Sequence, residues 1–363
     1  METPFTPQLQ ARDVSLIREP GGHLRRPFAC SPRKWSTRLR TMFAWAALCL
    51  VFKTARADEN VWLPVRDQNP FVLGSGLPLL PQVAPAAGQW DATVTLTESN
   101  TQLWSTRSKA PQTQVMFGAE TRESRVTLNY AINDAWSARA SIGDEWIGVG
   151  FLDRPIQHFH KWIGAPHGYR DGRLGGRPPV IRVTEDGQVL YELDKSGQAL
   201  APLLLDVTRE WRVSETTSYG ISIGAKLPVG DTRRLSDVGD TGVSLSAFGE
   251  FVVFDDIKVG VRAGYLHSNG NDALPGLARS SVEFGDVSAR GPLLGQWNWV
   301  LQYDVHTALY QRVPQFLGYA GVYTIGVARP LGEHSEFVFG VSEDLPLGHT
   351  QDVSFMMALR YRP

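Results

Sequence analysis

The stretch 297-WNWVLQYDV-305 decides the fold. Trp297, Trp299, Leu301, Tyr303 and Val305 alternate with Asn298, Gln302, Asp304 and the following His306, so one face is large and apolar and the other almost wholly polar. A period of two means a strand, because successive side chains leave opposite faces of the pleat. The same alternation runs through 219-YGISIGAKL-227, where Ser222, Gly224 and Lys226 oppose an aliphatic row, and through 257-IKVGVRAGY-265, where Lys258, Gly260, Arg262 and Gly264 do. In 353-VSFMMALRY-361 the polar side carries Ser354 and Arg360. Similar segments lie at 90–98, 112–119, 122–132, 136–143, 203–213, 241–254, 281–289, 316–328 and 334–342.

A soluble sandwich also alternates. Here the strands reach about ten residues, the length a tilted membrane strand requires. The polar face is rich in glycine and neutral residues, and aromatics recur near strand ends as an interfacial girdle would place them. The expected fold is therefore all-β, a transmembrane antiparallel β-barrel of 12–14 strands with a short helix in a long extracellular loop. These segments make thirteen strands, and single-chain bacterial barrels have an even number. Either 71-FVLGSGLPLL-80 supplies another strand, or a weak one such as 281–289 fails.

Charge and cysteine placement agree with export. Residues 1–57 hold ten Lys and Arg against three Asp and Glu, which leaves 26 basic and 34 acidic residues in the remainder. An acidic body offers no stripe for phosphate neutralisation, which argues against a nucleic-acid partner. Arg33, Lys34, Arg38 and Arg40 precede the apolar run 42-MFAWAALCLVF-52, and Ala55-x-Ala57 follows. That layout is a cleavable signal peptide with cleavage expected after Ala57, and its apolar run is too short to span a bilayer. Cys30 and Cys49 both lie in this leader. The expected organisation is a leader over 1–57, a Pro/Gly-rich segment over 58–89 and an outer-membrane barrel over 90–363.

With the C-terminus on the periplasmic side of a Gram-negative outer membrane, the turns at 133–135, 214–215, 254–256, 290–294 and 329–333 are periplasmic. The longer segments 144–202, 228–240, 268–280, 307–315 and 343–350 then face outward, the usual asymmetry. Lys226, Glu250, Lys258, Arg262, Asp304, Glu336 and Arg360 fall on the lumen side, where they are expected as paired charges rather than a catalytic set.

Three constellations invite chemistry. In 150-GFLDRPIQHFHKWIGAPHGYR-170, Asp153 as N-cap, Pro155 in the first turn, Ile156, Phe159 and Ile163 at helical spacing, and Gly164 as a stop predict a helix. His158 and His160 then lie about 200° apart and cannot chelate one ion. This loop is read as a lid or constriction, with Asp153, His160, Trp162 and Arg170 as its candidate residues. The string 265-YLHSNG-270 suggests the His and Ser of outer-membrane lipid hydrolases, but adjacent residues of a strand face opposite ways and the proton relay fails. The acidic run 231-DTRRLSDVGD-240 lacks the ladder of a calcium loop and is read as a solvated outer loop. No catalytic residue, metal or cofactor is expected.

The strings 69-NPF-71 with 76-GLP-78, 150-GFLDRPIQHFHKWIG-164 with Arg170, 226-KLPVGD-231 and 342-SEDLPLGHTQDVSFMMALR-360 resemble the bacterial proteins of domain-of-unknown-function family 3187. The likeness covers most of the exported chain in the same order. It marks Asn69, Gly76, Pro78, Gly150, Asp153, His160, Gly164, Arg170, Lys226, Pro228, Gly230, Asp231, Glu343 and Asp344 as motif positions without roles. His158 does not match the pattern, and 165-APHGY-169 departs from it. The resemblance implies an exported outer-membrane barrel and no particular activity.

The functional expectation is a non-enzymatic outer-membrane barrel, a passive pore or small-solute binding and transport barrel with a loop lid over 150–170. The rival readings are a lipid-modifying hydrolase using His267 and Ser268, and a structural or adhesive surface barrel. Expected partners are outer-membrane lipids, lipopolysaccharide and the barrel-assembly machinery during biogenesis.

Overall fold

The computed structural model describes residues 60–164, 180–254, 256–314 and 317–363. The leader and its cleavage after Ala57 lie outside these, as do His167 and Arg170.

Twelve antiparallel strands close into a barrel. They are β1 (Trp90–Arg107), β2 (Thr113–Ala131), β3 (Trp136–Gly148), β7 (Leu203–Ser214), β8 (Thr217–Leu227), β9 (Gly242–Val253), β10 (Ile257–Ser268), β11 (Ser281–Pro292), β12 (Asn298–His306), β13 (Ala320–Leu331), β14 (Ser335–Asp344) and β15 (Val353–Tyr361). Each pairs with its neighbours along the chain, and β1 closes on β15 from Ala92↔Tyr361 to Asn100↔Val353.

Two strand assignments change. The segments 112–119 and 122–132 are one strand, β2, whose odd-numbered residues face inward without interruption. Contrast is lost around Glu120 and Arg122 because this part of the outer face is polar, Arg122 being paired with Glu98 at 2.6 Å. The stretch 71–80 is not a strand: Pro70–Leu73 form a single helical turn, α1, started by Pro70 and capped by Asn69, whose side chain accepts from Phe71 N. The segment at 281–289 is a full strand, β11.

The turns at 132–135, 215–216, 254–256, 293–297 and 332–334 are short, and all but one of the connections at the opposite end are longer. The longest, 149–202, carries helix α2 (Asp153–Ile163) and the short strands β4 (Val180–Glu185), β5 (Gln188–Leu193) and β6 (Gly197–Leu200). Strand β4 pairs with the upper part of β2, and β6 with the upper part of β3, so the wall continues above the membrane on that side.

The outer face explains the solvent. Val94, Leu96, Val126, Leu128, Ile221, Ile223, Val287, Ile325, Met357 and Leu359 are exposed on it, which only a lipid environment makes favourable. Trp90, Trp136, Trp211, Tyr219 and Tyr361 ring the end with the short turns, as interfacial aromatics do. The inner face combines hydroxyls and ion pairs with two apolar patches, one around Val115, Phe117, Leu266 and Phe284 and one around Val300, Ala328, Val338, Met356 and Ala358. Thr127 with Ser141 (2.8 Å), Thr208 with Ser222 (2.6 Å) and Thr324 with Ser342 (2.8 Å) satisfy one another across neighbouring strands.

Candidate functional site: the lumen and the segment that fills it

Residues 60–85 lie inside the barrel, and 86–89 lead out over its lower rim to β1. The chain climbs one side of the lumen, turns at α1 beneath the outer loops, and descends the other. On the ascent, Arg290 Nη1 donates to Asn60 O (2.8 Å) and Ser288 Oγ to Val61 O (2.6 Å). Trp62 Nε1 donates to Glu250 (2.7 Å), and Leu63 N to Gln302 Oε1 (2.9 Å). Asp67 meets His306 Nε2 at 3.0 Å and also accepts from Thr350, and Gln68 N donates to Gln351 Oε1 at 3.0 Å. On the descent, Arg262 donates to Leu79 O (2.7 Å), Arg139 to Leu80 O, and Arg360 to Val83 O (2.7 Å). Gly88 N reaches Ala131 O at the lower rim (2.8 Å), and Arg66 ties the two legs together through Pro78 O (3.0 Å).

Why this segment can live there follows from its composition. Pro64, Pro70, Pro78, Pro81 and Pro85 carry no N–H, so the segment has more acceptors than donors to satisfy. The wall supplies the matching donors. Four of its arginines each pair with a wall carboxylate and spend a further N–H on a carbonyl of the segment: Arg290 with Glu336 (2.8 Å), Arg262 with Asp286 (2.5 Å), Arg139 with Asp206 (2.9 Å) and Arg360 with Asp91 (2.8 Å). A guanidinium has five donors in a fixed fork, which lets one side chain serve both partners.

At the outer end the filling turns apolar. Phe71 is fully buried and meets Tyr191 of β5 and Tyr310 of the 307–319 loop edge-on, with ring centroids 5.7 and 6.0 Å away. Val72 and Leu77 join Val115, Phe117, Leu266 and Phe284 of the wall, and Leu235, Val238, Leu274 and Leu277 of the loops, in one hydrophobic cluster. Tyr310 OH donates to Phe71 O (2.9 Å) and Tyr191 OH to Arg233 O (2.8 Å). Burial pushes both phenols above their ordinary pKa, so they remain neutral donors. Two interior cavities, of about 10 and 20 Å³, flank the segment, and each has room for little more than one water.

The lumen-side residues expected from alternation take these places. Arg262 and Arg360 hold the segment, and Glu250 accepts from Trp62 and pairs with Lys258 (2.7 Å). Glu336 pairs with Arg290, and Asp304 accepts from Gln302 Nε2 at 3.0 Å. Lys226 lies under the outer loop and grips Asp237 (2.8 Å) and Asp240 (2.6 Å). This corrects the reading of 231–240 as solvated, because Asp237 is fully buried and Asp240 nearly so. A buried lysine needs both carboxylates, and the loop folds inward to provide them. Gly76, at φ 68°, sits against the stem of that lysine, where a Cβ would come 2.8 Å from Lys226 Cγ. Arg139, Arg290, Asp91, Asp206 and Asp286 were not singled out from sequence, although each occupies an inward position of the same alternation.

Helix α2 does not cover the opening. Asp153 is its first residue rather than its N-cap, and the carboxylate accepts from Asn100 Nδ2 (3.0 Å) and Gln102 Nε2 (2.7 Å) of β1. Leu152 and Ile156 pack with Val353, Phe355 and Val341. All of these partners project from the outer face of the wall, so the helix lies against the outside of the barrel. Glu120 fastens its start by accepting from Phe151 N (2.8 Å) and Leu152 N (2.7 Å), and a Cβ at Gly150 would overlap that carboxylate. His160 is half-buried on the wall side, whereas His158 and Trp162 are exposed. Among the described residues, no three His, Cys, Asp or Glu side chains converge as metal ligands would. Ser268 donates to Asp240 and to Gly270 O (3.2 Å), while His267 projects from the opposite face of β10.

A family model described as "Protein of unknown function (DUF3187)" matches residues 40–362. No curated protein matches the chain. Among solved structures, the COG4313 outer membrane channel from Pseudomonas putida F1 is similar at 12% identity and a TM-score of 0.50, covering 78% of this chain and 98% of that one. The translocator domain of the autotransporter NalP from Neisseria meningitidis is similar at 12% identity and a TM-score of 0.38, covering 76% and 88%. A Pseudomonas aeruginosa FadL homologue is similar at 9% identity and a TM-score of 0.37, covering 82% and 98%. At such identities the likeness to the channel speaks to the fold, an outer-membrane barrel, and to nothing finer.

Proposed function

The chain belongs to the DUF3187 family of outer-membrane barrels, and from that premise we propose that it is a gated channel for small polar solutes whose gate is the luminal segment 60–85. The observation that carries this reading is the way that segment is held. Besides the apolar tip around Phe71 and a smaller apolar contact of Leu63 and Val65 with Val300, Ala328, Val338, Met356 and Ala358, the wall holds the segment largely by hydrogen bonds from its side chains to the segment's backbone, and no strand ladder binds it. Such contacts can be exchanged for water one at a time, whereas a strand built into the sheet would have to unzip. Much of the wall left behind would be polar, with hydroxyl pairs that satisfy each other and arginines already neutralised by carboxylates, beside one apolar patch of Val300, Ala328, Val338, Met356 and Ala358. A lumen so lined favours hydrated solutes over apolar ones.

The test is planar-bilayer conductance of the intact protein, of a variant lacking residues 62–85, and of a variant lacking residues 153–163. The expected result is rare opening in the first, steady conductance in the second, and behaviour like the intact protein in the third. Absence of conductance from the 62–85 deletion, with heat-modifiable migration retained, would refute the channel.

A further inference from the structure

Helix α2 leaves an apolar and a basic flank uncovered, and the chemistry of its position identifies what covers them. We propose that α2 is an interfacial anchor seated in the outer leaflet, with its aromatic flank among acyl chains and its basic flank against the phosphates of the lipid headgroups.

Helix α2 sits at the upper border of the apolar band. Its wall contacts, Asn100, Val353 and Glu120, occupy one height of the barrel, since Asn100 pairs with both Val353 and Glu120. Directly below, on the outer face, come Phe355, Leu96, Met357 and Val94, the upper part of the apolar band. The outward ion pair of Glu98 with Arg122 stands level with Phe355, since Glu98 pairs with both, and borders that band from above on β1 and β2. Apolar wall thus gives way to charged wall at the height of α2, which is where a bilayer boundary must fall.

The rotation of the helix sorts its two exposed flanks. Leu152 and Ile156 pack with Val353, Val341 and Phe355, at and below the level of Asn100, while Asp153 accepts from Asn100 and Gln102, at and above it. At 100° per residue, Phe159 and Trp162 lie about 60° and 120° from Ile156 on the side away from Asp153, which points Phe159 down toward the lipid. Lys161 and Arg154 lie about 140° and 160° from Ile156 on the Asp153 side, so they face up, and His158 projects beside them. Phe159 and Trp162 are exposed, and their rings stand 6.1 Å apart, with Phe151 exposed at the start of the same loop. An apolar flank below and cations above is the arrangement that membrane-surface helices adopt, and the cations suit an anionic headgroup layer.

The test places single nitroxide labels in a Cys30→Ser/Cys49→Ser background reconstituted in phosphatidylcholine vesicles with and without phosphatidylglycerol. Labels go at Phe159→Cys, Trp162→Cys, Arg154→Cys and Lys161→Cys, with Val287→Cys in the lipid band and Phe254→Cys in a short turn as references. Heat-modifiable migration verifies folding of each. The expected result is that residue 159 matches the residue 287 reference in oxygen access and loses access to a water-soluble nickel complex, residue 162 lies between the references, and residues 154 and 161 match residue 254. The label at 159 is expected to sit deeper when phosphatidylglycerol is present, and Arg154→Gln/Lys161→Gln is expected to abolish that difference. Nickel access at 159 and 162 equal to that at 254 would overturn the anchor. A depth at 159 insensitive to both phosphatidylglycerol and the double substitution would overturn its phosphate-facing half.

Discussion

Truncating Phe71 to alanine separates the grip on the tip of the luminal segment from the stability of the barrel around it. Phe71 has no exposed surface and meets two rings edge-on, and its neighbours are loop residues of the outer mouth as well as wall residues of β2 and β10. Removing a buried phenyl group costs about 3–5 kcal/mol through lost transfer energy and the cavity left behind. The loops at 269–280 and 307–319 can close part of that cavity, which favours the lower figure. About 3 kcal/mol is roughly a hundredfold shift in the balance between seated and released segment, at about 1.4 kcal/mol per factor of ten. Hydrogen exchange reads this directly. The amides of Leu63 and Gln68 are bonded to the side chains of Gln302 and Gln351, so they exchange only when the segment leaves them. Peptides covering 60–80 should exchange about a hundredfold faster in Phe71→Ala, while wall peptides such as 298–306 stay unchanged and channel openings become more frequent. If 60–80 and the wall accelerate together, or neither does, the segment is an inseparable part of the barrel and the gate does not exist.

Replacing Arg262 by Met together with Asp286 by Asn removes the guanidinium without stranding its carboxylate. The loss of one charge-assisted bond to Leu79 O should loosen the descending leg by about 1.5–3 kcal/mol, seen as faster exchange confined to 77–85. Arg262→Met alone leaves a buried carboxylate without its partner and should instead lower the temperature at which the whole barrel unfolds on a gel. Gly76→Ala forces a side chain into the left-handed region against the Lys226 stem, and should cost about 1–2 kcal/mol in the same exchange assay. Lys226→Met strips Asp237 and Asp240 of their cation, so limited proteolysis should begin to cut within 231–240, a segment expected to be resistant in the intact protein.

How far the sequence could be read depended on which neighbour imposed the pattern. Lipid imposes a simple rule on the outer face, and 297–305, 219–227 and 353–361 could therefore be read residue by residue. The same parity placed Arg262 and Arg360 on the lumen side, and applied to 136–148 or extended past 289 it would have found Arg139 and Arg290 as well. It failed near Glu120 and Arg122, where the outer face meets charge instead of lipid. The luminal segment has no period at all. Its course is set by donors more than 50 residues away in sequence, Arg290 for Asn60 and Arg139 for Leu80 among them, and nothing within 60–85 announces them. The helix at 153–163 was legible from its spacing and Gly164, but its seat was not: residues 341, 353 and 355, which pack with Leu152 and Ile156, come nearly two hundred positions later.

The segment that fills the barrel precedes β1, and the ring is sealed by joining β1, its first strand, to β15, its last. Biogenesis therefore allows two routes: the segment is already within the curling sheet when that seam forms, or it enters afterwards through the end with the short turns. On the first route it acts as a mandrel. The arginines of the nascent wall find carbonyl partners on it while the sheet is still open to water, and the interior is never asked to become dry and empty at once.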